Sequence, residues 1–258
     1  METLIENRWL EFKARTHCQT LQGPVGRAPR LWLDSICPDL AALPEMADLP
    51  HTKQIRAQVR AICRDHRLPV LVGYVHAMAW GGQGAGPGIG HARAALDHRE
   101  KLMAALEALR KGGMTPVERY DLFAVDSRVP GLGPSFFTKL LYFFSPDSRC
   151  YIMDQWTAKS VNFLFGREVI RLVSGTPAAT NTGKDYAAFC DLIDQLAARD
   201  RLERKCECSG DRMEEKLFCR GGRRPGPWRA YLKSHWREPG TPTFRSTPHG
   251  HQKPRPGA

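Results

Sequence analysis

The residues able to do chemistry concentrate between positions 115 and 166. Val129-Pro130-Gly131-Leu132-Gly133 lies between two helix signals. Thr115-Pro116-Val117-Glu118 opens the first as a capping box with proline at the first helical position, and that helix is expected to run through Asp121, Leu122 and Phe123. The second opens at Pro134. Two glycines let the chain turn tightly and present N–H groups at the start of the second helix, where the helix dipole also favours an anion. Gly131 and Gly133 are therefore candidates for phosphate contact, of a kind that reads backbone rather than base sequence. On the second helix Phe137, Leu140, Leu141 and Phe144 share a face expected in the core. Ser135, Lys139 and Tyr142 share the opposite face, which can look into a cleft. Asp154 stands just before a further helix that stops near Gly166. Capping backbone N–H groups is the ordinary role of such an aspartate. A ligand-directed role is compatible with it, because capping keeps the carboxylate ionised.

The elements that must hold these residues are mostly helical. Ile55, Val59 and Ile62 mark one amphipathic helix, and Leu102, Leu106 and Leu109 another that ends at Gly112-Gly113. Tyr186, Phe189, Cys190, Ile193 and Ala197 mark a third. The run LPVLVGYVHAMAW reads equally as a strand or a buried helix. The Gly-rich segment Gly81 to Gly90 reads as a connection between helical layers. It lacks G-x-G-x-x-G, and the alternating strands and helices of a dinucleotide-binding sheet are missing. An all-α or nearly all-α fold is expected, with a domain over 1–237 and a basic, disordered tail over 238–258.

The 258 residues carry a formal charge of +11, with 42% hydrophobic residues, enough for a packed core. The charge is uneven. From Arg220 to Ala258 there are nine Lys/Arg and one acid, Glu238. A basic segment of this kind suits a polyanion, most simply nucleic acid. Arg223, Arg224 and Arg229 are the contact candidates. Trp228, Tyr231 and Trp236 give the segment RRPGPWRAYLKSHW something to pack, whereas the last stretch reads as a solvated tail. The longest apolar run, Leu68 to Trp80, is too short to span a membrane, and no secretory signal opens the chain. Eight cysteines without C-x-x-C point to free thiols and a cytoplasmic location. Cys190, Cys206, Cys208 and Cys219 match neither a zinc nor an iron–sulfur spacing, so no metal and no cofactor is expected.

The stretch VPGLGPSFFTKLLYFF…YIMDQWTAKSVNFLFG resembles the helix-hairpin-helix-Gly/Pro-Asp (HhH-GPD) superfamily of DNA glycosylases. The wider pattern is similar to small bacterial proteins with the 8-oxoguanine glycosylase (OGG) fold. Similar blocks fall at Met78-Ala79-Trp80-Gly81, Gly131 to Lys139, Met153-Asp154-Gln155-Trp156 and Glu215-Lys216-Leu217-Phe218. The resemblance spans roughly residues 70–236. It implies two helical layers around a central cleft and cleavage of the N-glycosidic bond of a nucleotide flipped out of duplex DNA. Asp154 occupies the position of the family's essential aspartate, which stabilises the oxocarbenium-like sugar and orients or deprotonates water. Bifunctional members carry a lysine two residues after the second glycine, and here that residue is Ser135. The departure implies a monofunctional enzyme that leaves an abasic site.

Lys139, one turn later, has three roles open to it: exposed helix lysine, contact to DNA or substrate, and nucleophile. Trp80, Tyr142 and Trp156 are candidates to line the substrate pocket, against the ordinary core role of helical aromatics. The expected partner is double-stranded DNA carrying a modified base, bound by a monomer. Some bacterial relatives act in phage defence on hypermodified bases such as glucosylated hydroxymethylcytosine. That substrate is favoured here over 8-oxoguanine, with a non-catalytic DNA-binding module as the alternative.

Overall fold

The computed structural model describes residues 3–17, 23, 25–81, 87–147, 149–219 and 225–237. Arg223, Arg224, the 238–258 tail and residues 82–86 of the Gly-rich segment lie outside the described residues. In chain order the helices are α1 (Glu6–Arg15), α2 (Pro29–Ile36), α3 (Pro38–Ala41), α4 (Arg56–Arg64), α5 (Val70–Trp80), α6 (Pro87–Asp97), α7 (Arg99–Lys111), α8 (Pro116–Asp121), α9 (Pro134–Phe144) and α10 (Gln155–Phe165). A two-stranded antiparallel pair follows, β1 (Leu172–Val173) and β2 (Thr176–Pro177). The chain ends in α11 (Gly183–Arg204), α12 (Gly210–Phe218) and α13 (Pro227–His235). No helix among the described residues is long and apolar enough to cross a membrane.

One layer contains α2, α4, α5, α6 and α7, and the other contains α8, α10, α11 and α12 with α1 and α13 against α10. Helix α9 joins them, touching α4, α5, α7 and α8. The apolar run whose periodicity left two readings open is the buried helix α5, and all eleven of its residues are buried. A helix apolar all round belongs in the middle of a helical fold. The capping box at Thr115 forms, with the Thr115 side chain accepting from the Glu118 N–H. The aromatic residues of the basic segment pack as expected. Trp228 is buried edge-on against Phe12 and Phe163, and its Nε1–H donates to Ser160 Oγ at 2.9 Å.

Three expectations are corrected. Helix α8 ends at Asp121, and Leu122–Asp126 continue as a wider π turn. Helix α6 begins at Pro87, inside the segment read as a loop. Helix α9 divides into a core face and a cleft face over its first turns alone: Ser135 and Lys139 line the cleft, Lys139 with its aliphatic stem against Gly81, but Tyr142 is buried away from it. Both layers close over α9, which periodicity along one helix cannot reveal.

His76, on α5, is 4% exposed, and its Nδ1 lies 2.5 Å from Gln54 Oε1. Burial lowers its pKa from 6.5 to about 4, so the folded chain holds the ring neutral. A depressed base binds fewer protons folded than unfolded, so its contribution is complete above pH 6.5 and is lost as pH falls toward 4. The shift corresponds to up to about 3 kcal/mol. Denaturant melts across that window should show wild-type stability falling with acid, and His76→Gln should show a flatter profile.

Candidate active site

The hairpin is built around a steric constraint at Gly131. Its φ is +82°, and a Cβ there would lie 2.1 Å from the His91 carbonyl oxygen on α6. Only glycine lets α6 and the hairpin approach this closely. Gly133 differs: its φ is −78°, and a Cβ would meet open space. Glycine is not needed there for the turn. The N–H groups of Gly133 and Ser135 find no acceptor among the described residues. They stand at the start of α9 with Pro134 between them, an arrangement that suits a phosphate oxygen.

Asp154 is the N-cap of α10. Its Oδ1 accepts from the N–H groups of Trp156 at 2.8 Å and Thr157 at 3.0 Å. The Asp154 N–H donates to Thr157 Oγ1 at 2.9 Å, closing a capping box. Oδ2 accepts no hydrogen bond among the described residues. One carboxylate oxygen is thus spent on the fold and the other is open to the cleft.

The extended segment before Asp154 is anchored to its surroundings. Thr138 Oγ1, on α9, accepts from the Met153 N–H at 3.1 Å and donates to the Pro134 carbonyl at 2.8 Å. Thr157 Oγ1 donates to the Ile152 carbonyl at 2.8 Å. The Tyr186 hydroxyl, on α11, donates to the Tyr151 carbonyl at 2.9 Å. Hairpin helix and aspartate are therefore tied together through buried groups, and their separation cannot drift.

A cleft of about 790 Å³ opens between them. The hairpin from Arg128 to Pro134 lines it together with Ser135, Lys139, Asp154 and Gln155. Thr176, Pro177, Ala179 and Thr180 line it too, around the end of the β1–β2 pair. Five sequence candidates thus meet in one place: Gly131, Gly133, Ser135, Lys139 and Asp154. Burial lowers the pKa of the Lys139 ammonium, and the carboxylates of Asp154 and Glu214 oppose that shift. The cleft holds a cation beside an anion, with apolar walls that strengthen their interaction.

The other candidates lie elsewhere. Trp80 is buried edge-on against Phe143, and Tyr142 is flanked by the guanidinium groups of Arg56 and Arg60, with ring distances of 4.7 and 4.6 Å. Neither ring reaches the cleft. Trp156 and Arg229 lie against each other outside its lining. Arg229 donates through Nε and Nη2 to the Phe218 carbonyl. Cys190, Cys206, Cys208 and Cys219 form no disulfide among the described residues.

Sequence reasoning missed the β1–β2 wall, because two-residue strands leave no periodic signal. It missed Thr138 and Thr157, whose role depends on which carbonyls the fold brings to them. It also missed Glu214, buried and paired with Arg56, whose carboxyl burial pushes up to about 7 against the pull of Arg56.

A family profile described as "Putative 8-oxoguanine DNA glycosylase OGG-like protein" matches residues 21–218. The chain belongs to this OGG-like family. Searches of curated proteins and of solved structures returned no match. The matched span takes in the hairpin, Asp154 and both layers, and it ends where α12 ends. Helix α13 lies beyond it.

The two hairpin glycines should behave differently. Gly131→Ala should lower stability by about 1–3 kcal/mol or more, since it meets both a positive φ and a backbone carbonyl. Gly133→Ala should leave Tm unchanged and weaken DNA affinity. Thermal melts and DNA titration separate the two effects. Thr138→Val should cost roughly 1–3 kcal/mol, the usual penalty for a buried N–H without an acceptor.

Proposed function

We propose that this protein is a DNA glycosylase that hydrolyses the bond between a modified base and its deoxyribose, leaving an abasic site. The observation that carries the reading is the common cleft. The hairpin with its phosphate-ready N–H groups, Asp154 with an Oδ2 outside the capping bonds, and Lys139 line one space. The hairpin would hold the strand by its backbone while the target nucleotide swings out of the duplex. As the C1′–N bond lengthens, positive charge grows on the sugar, and a fixed carboxylate stabilises it. Asp154 Oδ2 then takes a proton from the attacking water, whose hydroxyl bonds to C1′. The departing base takes its proton from solvent.

Ser135 stands where bifunctional relatives carry their nucleophilic lysine, which supports water as the nucleophile and an uncut strand as the product. The favoured substrate is a hypermodified base such as glucosylated hydroxymethylcytosine. The breadth of the cleft supports this, with the hydroxyls of Ser135, Thr176 and Thr180 and the Gln155 amide available to sugar hydroxyls. 8-Oxoguanine is the other substrate to test, on the family description.

Mass spectrometry of bases released from a panel of DNAs decides. The panel should contain unmodified, oxidised, alkylated and uracil-containing duplexes and phage DNA with glucosylated hydroxymethylcytosine. Release of one modified base with intact abasic strands is the expected result. Borohydride should trap no covalent adduct; an adduct that disappears in Lys139→Gln would make the enzyme bifunctional. Tight, salt-sensitive DNA binding with no release from any DNA would identify a non-catalytic binding module instead.

A further inference from the structure

Outside the cleft, cations gather around one ring. The Arg229 guanidinium lies 4.9 Å from the centre of the Trp156 ring, Lys159 Nζ lies 5.2 Å away and Lys233 Nζ 5.6 Å away. Trp156 and Lys159 belong to α10, and Arg229 and Lys233 belong to α13. Each cation gains a modest attraction from the ring, but three like charges this close repel one another. Among the described residues neither Arg229 nor Lys233 forms an ion pair with a carboxylate. Asp154 is the acid whose charge acts on Arg229, and it does so from the neighbouring cap.

The cluster is also rigid. The Trp156 N–H donates to Asp154 Oδ1 at 2.8 Å, so the cap that orients the aspartate also orients the ring. Arg229 is held by two N–H groups on the Phe218 carbonyl and lies over the Phe218 ring. Helix α13 is pinned to α10 through Trp228 and Ser160. Lys233 is exposed and free to swing toward a ligand.

We propose that Trp156, Lys159, Arg229 and Lys233 form a second phosphate site for the DNA strand, outside the cleft that the hairpin and Asp154 line. The proposal rests on the glycosylase reading above and assigns the site to that enzyme's DNA. Gripped at the hairpin and again at α13, the strand would be held on both sides of the flipped nucleotide. None of the four residues lines the cleft, and two of them lie beyond the span that the family profile matches. Repulsion between Arg229 and Lys233 is relieved when a phosphodiester enters.

The test uses the full-length chain and a duplex carrying a tetrahydrofuran abasic-site analogue, with fluorescence anisotropy at several salt concentrations. Lys233→Gln and Lys159→Gln should each weaken binding severalfold at about 100 mM salt and lower the slope of log affinity against log salt by about one. The Tm of Lys233→Gln should stay at the wild-type value, since that side chain is exposed, so its weaker binding reads as a lost DNA contact. Wild-type affinity and slope in both variants would overturn the second site and leave the glycosylase reading standing. A folded wild-type protein that does not bind the duplex at all would overturn both.

Discussion

One buried hydroxyl sets the geometry on which the cleft depends. Thr138 Oγ1 accepts from the Met153 N–H and donates to the carbonyl of Pro134, the first residue of α9. A single buried hydroxyl thus ties the helix that begins at the hairpin to the residue before Asp154. Buried hydroxyls in a low-dielectric core keep their partners at fixed distance, because an unmade bond there is costly. Tyr186 and Thr157 hold the carbonyls of Tyr151 and Ile152 in the same way. The separation between the start of α9 and Asp154 is therefore a property of the packed core.

The two oxygens of the Asp154 carboxylate differ in what they bind. Oδ1 is committed to the first turn of α10, which fixes the side-chain torsion and leaves Oδ2 outside the capping bonds. A catalytic carboxylate needs this fixity, since charge stabilisation is strongest where the groups need not reorganise during the reaction. Lys139 adds the opposite charge. Its stem lies along Gly81, where a Cβ would come within 2.8 Å of it, so α5 helps to aim the ammonium into the cleft. Glu214 and Arg56 extend the charged groups behind it. Alternating charges of this kind let a buried lysine and a carboxylate coexist in one cavity.

The amino-acid order discloses whatever is local. The capping box at Thr115, the hairpin between α8 and α9 and the aspartate before α10 are spelled out in contiguous residues, and each forms where its pattern lies. The helical class follows from long periodic segments such as α11. What stays hidden depends on distant partners. Tyr142 has the spacing of a cleft residue, yet two arginines from α4 flank it. Trp80 borders the Gly-rich segment, but α9 covers it. Gly131 and Gly133 look equivalent in the chain, and only the carbonyl of His91 distinguishes them. The cation cluster at Trp156 joins residues more than 70 positions apart, so no motif records it.

The central claim is that Asp154 supports both the fold and the chemistry, through different oxygens. Asp154→Asn keeps an oxygen able to cap α10 and removes the charge. The most direct measurement pairs its thermal melt with its single-turnover base release on the substrate that wild type cleaves. The account predicts a stability loss of no more than about 1 kcal/mol and a fall in release of at least a hundredfold. A variant that releases base at the wild-type rate would contradict it, and the carboxylate would then be a helix cap alone.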